Sequence, residues 1–432
     1  MLLRRIKLAI IITLLGLFGS CTNTSSNSTK EASITSQDTS QVIIKKSTHY
    51  IYYIPGDSIV NGILMVLDPH GKPAIIMDSL HSIADNNHLA LIGLNDIRNG
   101  ISDYNEIINR DLHHFESYTA ISPSYIYLLG FSGGSRMAAI YARRNRINGL
   151  ILCGAGLNRQ TQFPFPVVMI SGMGDFNFME QYYTPDDAAT FNKNIITLNF
   201  KGKHQWPKAK LIADAIDFVI GRNEGKNSSE ANAYAKQSTD LLKQKEYYLS
   251  FKAMEIAYKL SDGNLAEKRK QQLIALSNNP NVKSYFHRLQ KYINEEQQRY
   301  QMLAHAMEIQ DLKWWNNQID YIDSRAADKK NKLRAASYQR TKAYLGILVY
   351  SRLSAASSGR GHYNLIPKYL EIYKRLEPKN PDLFFFKAIY ALSQDKQEEA
   401  LNYLKKAKKL GFNDQNKIYR FFPQELINNL KS

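Results

Sequence analysis

The stretch Tyr125–Ala139, Y-I-Y-L-L-G-F-S-G-G-S-R-M-A-A, decides the fold of this chain. An apolar run with strand character, Ile126–Leu129, leads into G-F-S-G-G at 130–134, and a helical pattern follows at once. Strand, G-x-S-x-G and helix in this order are the context of a nucleophile elbow. The glycines leave room where a Cβ would collide with a neighbouring element. The pattern predicts Ser132 as a nucleophile and the N–H of Gly133, at a helix N-terminus, as an oxyanion donor.

Residues 42–222 alternate apolar, strand-like runs with helical patterns, which is typical of an α/β domain with a mostly parallel sheet. Residues 42–54 fit one strand or a hairpin. The further predicted strands are 63–67, 89–94, 125–129, 149–153, 167–171 and 195–200. The predicted helices are 74–86, 104–118, 135–145, 185–192 and 207–220. Cys153 closes one of the strands and is interpreted as a small buried hydrophobe.

Two later loops carry groups that would activate a serine. Asp175 follows a predicted strand, and a carboxylate there can orient an imidazole and stabilise its charged form. Asp186 and Asp187 compete for this role, but they stand beside a proline and fit a helix N-terminus better. His204 lies in G-K-H-Q-W-P at 202–207, before the last predicted helix of this half. Serine, acid and histidine therefore follow successive strands in that order, which favours a catalytic triad.

These motifs resemble those of the α/β-hydrolase superfamily. The most similar groups are secreted esterases of the poly(3-hydroxybutyrate) depolymerase and feruloyl-esterase type, together with dienelactone-hydrolase-like proteins. Their elbow matches residues 130–135, their G-x-H-x-W-P ending matches 202–207, and the likeness covers 42–222. The resemblance implies that Ser132 attacks an acyl carbonyl and that His204 moves the proton while Asp175 orients it. We expect no cofactor and no metal.

The resemblance also gives a role to D-P-H-G-K at 68–72, directly after a predicted strand. This segment stands where many relatives have a His-Gly turn that supplies the second oxyanion donor. A backbone N–H of Gly71 or Lys72 would then pair with that of Gly133, whereas a proline has none to offer. The glycine run of many relatives is missing here. His70 is interpreted as a turn-stabilising residue rather than as the base.

The loop after the predicted strand 89–94 reaches the same edge of the sheet. Its Asn95, Arg98 and Asn99 are predicted to line the acyl or leaving-group pocket, with an ordinary polar loop as the alternative. Only residues 154–166 separate the next two strands, so no lid domain is inserted there. We therefore predict an open cleft suited to a bulky or polymer-borne substrate.

The first residues of the chain predict export. Basic residues precede a short apolar run within 1–20, which is typical of a secretory signal. Leu17–Cys21 resembles a bacterial lipoprotein box, which implies that Cys21 carries lipid; a cleaved signal with an incidental cysteine is the alternative. Residues 21–41 are rich in Ser, Thr and Asn and are interpreted as a flexible tether. We expect a bacterial envelope protein held to a membrane by lipid, and Thr22 after the cysteine favours the outer membrane.

Beyond a predicted linker at 223–229, residues 230–432 have helical patterns. Residues 381–412 resemble a tetratricopeptide repeat, and 281–350 fit long helices without a clear repeat. The repeat positions are Phe384, Ala388, Ala400, Leu404 and Ala407. A second copy fits less well at Tyr234, Ser238, Ser250, Met254 and Ala257. An apolar stripe at Trp314, Trp315, Ile319, Tyr321 and Ile322 is interpreted as core. We expect this helical domain to dock a protein partner or to border the catalytic cleft.

Charge is unevenly distributed along the 432 residues. Of the 56 Lys and Arg and 39 Asp and Glu, residues 42–222 hold 16 and 15, and residues 223–432 hold 36 and 22. Since no nucleic-acid motif accompanies the basic excess, a solvated helical surface explains it better than a nucleic-acid partner, with an anionic membrane face or an acidic partner as the alternative. The favoured function is a lipid-anchored serine hydrolase acting on carboxylic esters. The alternatives are a serine peptidase with the same triad and a non-catalytic envelope adaptor working through its helices.

Overall fold

The computed structural model describes residues 45–56, 60–157, 161–182, 194–224 and 228–430. The signal, the tether and Cys21, the helix expected at 185–192 and the competing Asp186 and Asp187 lie outside these ranges. An eight-stranded sheet organises the first part of the chain, in the order β1-β2-β4-β3-β5-β6-β7-β8. The strands are β1 Lys45–Lys46, β2 Tyr50–Tyr53, β3 Gly62–Leu67, β4 Leu89–Leu94, β5 Tyr125–Phe131, β6 Gly149–Cys153, β7 Val167–Gly172 and β8 Ile195–Phe200.

The sheet has the mixed arrangement of the α/β-hydrolase fold, as the sequence predicts. Strands β1 and β2 form an antiparallel pair, with Lys45 opposite Tyr52, and β2 runs antiparallel to β4. Every other pairing is parallel. The parallel strands read as continuous apolar runs because both faces of the sheet are covered.

The two faces of the sheet carry separate hydrophobic cores. Side chains alternate between the faces along a strand, so Ile63, Met65 and Leu67 of β3 enter one core while Leu64 and Val66 enter the other. Helices flank both faces: α1 Ala74–Met77, α2 His81–Asn86, α3 Tyr104–Thr119, α4 Gly133–Ala142, α5 Phe178–Gln181 and α6 Ala209–Glu224.

The helix expected at 74–86 is broken into α1 and α2. The hydroxyl of Ser79 donates to the carbonyl of Ile76 over 2.7 Å between the two pieces. A serine side chain that bonds its own backbone competes with helix continuation, which is consistent with a break here.

Three helices follow, and the first two of them pack against the sheet. These are α7 Ser228–Lys243, α8 Tyr247–Lys259 and α9 Gly263–Asn278. Ala231, Ile256 and Leu260 join one of the two sheet cores. The buried ammonium of Lys259 donates to the carbonyl of Ile195 over 2.7 Å. Because β8 is the last strand of the sheet, α8 covers an edge that would otherwise be open.

The chain divides into two compact units between Ile293 and Asn294, within helix α10 Pro280–Ile309. The first three helices of the expected helical domain thus belong to the unit that contains the sheet. The apolar faces of α7 and α8 supply the physical reason, since these two faces complete a sheet core. A helical pattern shows that a helix has an apolar face without showing what that face packs against.

The second unit is all-helical over its described residues from 294 onward. Its helices after α10 are α11 Leu312–Ala326, α12 Lys332–Ser357, α13 Ile366–Leu376, α14 Pro381–Leu392, α15 Gln397–Lys409, α16 Gln415–Phe421 and α17 Gln424–Asn428. Helices α14 and α15 pack on each other through buried small residues, among them Ala388, Ala400 and Ala407. Of the predicted stripe on α11, Trp315, Ile319 and Ile322 are buried, whereas Tyr321 is 44% exposed.

A buried ion pair lies inside this unit. The guanidinium of Arg340 donates to the carboxylate of Glu296 over 2.6 Å, and both side chains are almost fully buried.

Among the described residues, no helix is both long and apolar enough to cross a bilayer.

Candidate active site

Ser132 occupies a sharp turn between β5 and α4. Its φ of 50° and ψ of −115° place the backbone in a region that residues other than glycine rarely adopt. Backbone strain of this kind is typical of functional turns. The N–H of Ser132 donates to the carbonyl of Cys153 over 2.7 Å, which ties the turn to β6. Gly134 is required for close approach, since a Cβ there would lie 2.0 Å from the carbonyl oxygen of Leu67.

The three side chains expected to form a triad are hydrogen-bonded in series. His204 Nε2 lies 2.9 Å from Ser132 Oγ. His204 Nδ1 lies 2.9 Å from Asp175 Oδ1 and 3.0 Å from Oδ2. The Asp175 carboxylate is buried and the His204 side chain is 8% exposed, so water is largely excluded from the pair. With Nδ1 donating to the carboxylate, Nε2 is free to accept the proton of the serine hydroxyl.

One hydrogen bond joins the acid loop to the histidine loop, and a second one orients the carboxylate within the acid loop. The N–H of Gly174 donates to the carbonyl of Gly202 over 2.8 Å, and the N–H of Asn177 donates to Asp175 Oδ1 over 2.8 Å. The ring centroids of Phe131 and Phe176 lie 4.9 Å and 4.3 Å from the ring centroid of His204. These contacts restrict the imidazole to the orientation that faces the serine.

The predicted second oxyanion donors are directed elsewhere in this structure. The N–H of Gly71 donates to the carbonyl of Asp68 over 3.1 Å, and the N–H of Lys72 to Asp68 Oδ1 over 3.3 Å. His70 also donates its N–H to Asp68 Oδ1, over 2.9 Å. The turn thus folds around its own first residue. Gly133, in contrast, opens helix α4, where the first N–H groups have no partner within the helix.

Asp68 is a functional-site residue that the sequence analysis missed. Its other carboxylate oxygen accepts a hydrogen bond of 2.9 Å from the indole of Trp206, two residues after His204. Burial raises the pKa of Asp68, but hydrogen bonds from His70 and Trp206 outweigh this effect and the pKa is lowered. The sequence could have indicated this contact, because an acid at the end of β3 and a tryptophan after the histidine reach the same edge of the sheet.

The loop after β4 packs against this turn. Gly71 has a φ of +66°, and a Cβ on it would lie 2.3 Å from the carbonyl oxygen of Asn95 and 3.1 Å from Arg98 Nε. The N–H of Asn99 donates to the carbonyl of Pro69 over 2.9 Å. Of the three residues predicted to line a pocket, Asn99 reaches the elbow, since a Cβ on Gly133 would lie 1.8 Å from its Oδ1.

The candidate site combines four kinds of group. Within the described ranges, no group of three or more His, Cys, Asp or Glu side chains is arranged to hold an ion. The site brings together a hydroxyl, an imidazole, a carboxylate and a helix N-terminus, a set that suits acyl transfer.

Comparison with known proteins gives structural neighbours of low sequence identity. No family model matches the chain, and no curated protein matches it. The solved structures that are similar include LpqC, a poly(3-hydroxybutyrate) depolymerase from Bordetella parapertussis, at 12% identity and a TM-score of 0.30 over 40% of this chain and 85% of that one. XC6422 from Xanthomonas campestris, described as a serine hydrolase without lid, gives 15% identity and a TM-score of 0.31 over 40% and 88%. Est1E from Butyrivibrio proteoclasticus gives 11% identity and a TM-score of 0.29 over 42% of this chain and 98% of that one. The fold assignment rests on the strand order of this chain itself.

Proposed function

We propose that this protein is a serine hydrolase that cleaves carboxylic esters through an acyl-enzyme. The observation that carries the proposal is the hydrogen-bonded series Ser132, His204 and Asp175, with the serine on a strained turn at a helix N-terminus. An acid, a base and a hydroxyl nucleophile in this geometry are the minimum set for acyl transfer.

The chemistry follows from the distances. His204 Nε2 takes the proton of Ser132 as the serine oxygen adds to the ester carbonyl. Asp175 stabilises the imidazolium that forms, and the N–H of Gly133 is placed to bind the negative oxygen. The imidazolium then gives its proton to the departing alcohol, leaving an acyl group on Ser132. Water, deprotonated by the same imidazole, releases the acid and restores the enzyme.

Ser132 is partly exposed, which supports a substrate that presents its ester group at the surface of the site. We therefore extend the proposal to esters carried on bulky or polymeric molecules. The sequence motif at Leu17–Cys21 supports attachment to a bacterial envelope membrane through lipid on Cys21. The helical unit, with its repeat-like α14 and α15, is proposed to dock a protein partner.

A fluorophosphonate probe and p-nitrophenyl acyl esters test the activity directly. We expect Ser132→Ala to abolish labelling and to lower kcat by at least about 10³, since the members of a triad act as a unit. His204→Gln should give a similar loss. Ser79→Ala, at an exposed serine of the same unit, is the matched control and should leave both readouts unchanged.

Three results would redirect the proposal. Folded protein that neither labels nor turns over would favour the adaptor. Faster Ser132-dependent cleavage of aminoacyl amides than of esters would favour a peptidase. For the anchor, metabolic incorporation of a fatty-acid analogue should be lost in Cys21→Ser, and retention of the label in that variant would contradict lipidation at this cysteine.

A further inference from the structure

We propose that the side-chain carboxamide of Asn99 is the second oxyanion donor, acting together with the N–H of Gly133. The inference rests on the proposed acyl-transfer function and adds a catalytic residue to it. Serine hydrolases of this kind need more than one donor, because a single N–H leaves much of the developing charge unsolvated. The backbone donors of the turn at 68–72 do not fill this role, since those of His70, Gly71 and Lys72 point at Asp68.

Asn99 occupies the space beside the elbow that a side chain on Gly133 would take. A Cβ on that glycine would lie 1.8 Å from Asn99 Oδ1 and 3.0 Å from Cγ, so the carboxamide is in direct contact with the backbone of Gly133. No other residue of the described ranges makes a hydrogen bond to this carboxamide. A carboxamide has two N–H donors and one acceptor oxygen, and rotation about χ2 exchanges the two ends. The group next to the nucleophile can therefore present an N–H to a bound substrate.

The backbone of Asn99 is held in place, so the carboxamide stays beside the elbow while rotation about χ2 turns an N–H towards the substrate. Its N–H donates to the carbonyl of Pro69 over 2.9 Å, and a bridge joins Arg98 to His70. Ile97 is fully buried in one of the sheet cores, which anchors the loop from below. An anchored backbone limits what must be ordered to this one rotation, and donors that need little ordering stabilise a developing charge better than mobile ones.

The step that Asn99 assists is the addition of Ser132 Oγ to the carbonyl carbon. The new C–O bond converts the carbonyl oxygen to an oxyanion while the serine proton passes to His204. The N–H of Gly133 and an N–H of Asn99 then share that charge until the tetrahedral species collapses and the oxygen becomes a carbonyl again. Because the charge exists mainly in the transition state, the effect should fall on kcat rather than on KM.

The experiment compares Asn99→Ala, Asn99→Asp and the control Asn86→Ala on a p-nitrophenyl ester. Asn86 is an exposed residue of α2. We expect Asn99→Ala to lower kcat by about 10²–10³ with KM changed less than about threefold, the usual loss for one oxyanion donor. Asn99→Asp keeps the shape and the acceptor oxygens but replaces the N–H donors with negative charge, so its kcat should fall at least as far. Thermal melts should show that all variants are folded.

The outcomes separate this inference from the proposed function. If the wild-type protein has no Ser132-dependent turnover, the hydrolase proposal fails and takes this inference with it. If turnover is normal and both Asn99 variants keep kcat within about threefold of wild type, only the inference fails. If Asn99→Asp restores the kcat that Asn99→Ala has lost, the side chain serves as an acceptor that supports the loop, and the donor role is overturned.

Discussion

The indole N–H of Trp206 donates to Asp68 Oδ2 over 2.9 Å, and this bond joins the loop that carries His204 to the turn beside the elbow. The Trp206 ring also stacks on Phe131 at 5.1 Å, and Phe131 in turn contacts the imidazole. The buried carboxylate thus sets both the shape of its own turn, through the N–H groups that point at it, and the position of the histidine loop.

Trp206→Phe should keep the aromatic stack and remove only the hydrogen bond. Leaving a buried carboxylate without one of its hydrogen-bond donors lowers the free energy of unfolding by about 1–3 kcal/mol. We therefore expect a lower midpoint of urea unfolding. If the bond also positions His204, kcat should fall by about tenfold, the equivalent of about 1.4 kcal/mol in the barrier. Trp314→Phe, a partly exposed tryptophan of the helical unit, is the matched control. Unchanged stability and kcat in Trp206→Phe would show that the bond supports neither loop.

Gly133→Ala should impair catalysis because the added methyl group collides with Asn99. The added methyl would lie 1.8 Å from Asn99 Oδ1, so either the carboxamide or the elbow has to move. We expect the single variant to lose most of its ester hydrolysis. In an Asn99→Ala background the same methyl finds space, so its additional effect should be small. Neighbouring residues are non-additive in this way when they share one space. Equal losses from Gly133→Ala in both backgrounds would show that the two groups are not in contact.

Much of the fold was predictable because buried parallel strands have an unambiguous pattern. Strands β4, β6 and β8 begin and end at the predicted residues, since each is a short apolar run bounded by polar or turn residues. The convergence of Ser132, Asp175 and His204 was predictable for a related reason. Loops at the carboxyl ends of parallel strands meet at one edge of the sheet whatever their separation in sequence.

The finer structure of the site depends on contacts that chain order does not reveal. Strand β4 lies beside β3 and not beside β5, so the loop holding Asn99 has to cross the turn at 68–72 to reach Gly133. The direction of the N–H groups of Gly71 and Lys72 depends on how that turn closes around Asp68. Neither the strand order nor the turn geometry can be read from residue spacing alone.

Cys153 should be chemically inert in the folded protein. Its side chain is fully buried at the end of β6, and burial raises the pKa of its thiol. Because the thiolate is the reactive form, a disulfide reagent such as DTNB should not react with native Cys21→Ser protein, in which Cys153 is the remaining thiol. Guanidinium should expose it to rapid reaction. Fast reaction of the native variant would show that β6 opens readily or that the thiol reaches solvent.

Glu255 should make the stability of the unit that contains the sheet sensitive to acid. This carboxylate of α8 is buried between the ammonium groups of Lys252 and Lys259, at 2.7 Å and 2.6 Å. Burial raises the pKa of Glu255, but the two ammonium groups outweigh this effect and lower the pKa from 4.5 to about 2. A carboxyl with a lowered pKa in the folded state contributes stability above its unfolded pKa, and the contribution is lost as pH falls through the folded value. Burial lowers the pKa of Lys252 to about 8, which is above this range, so the carboxyl sets the dependence.

Glu255→Gln measures this contribution as a difference from the wild-type protein. The variant leaves two buried ammonium groups without a counter-charge, so we expect it to be less stable near pH 6 by a few kcal/mol. The difference between the two proteins should shrink by about 3 kcal/mol between pH 5 and pH 2, because the wild-type carboxyl becomes neutral there as well. Urea unfolding followed by circular dichroism across this range provides the measurement. Glu246→Gln removes a more exposed carboxylate that pairs with Lys201 and should give a small, flat difference. A Glu255→Gln difference that does not change with pH would mean that the carboxyl is not held ionised by the two lysines.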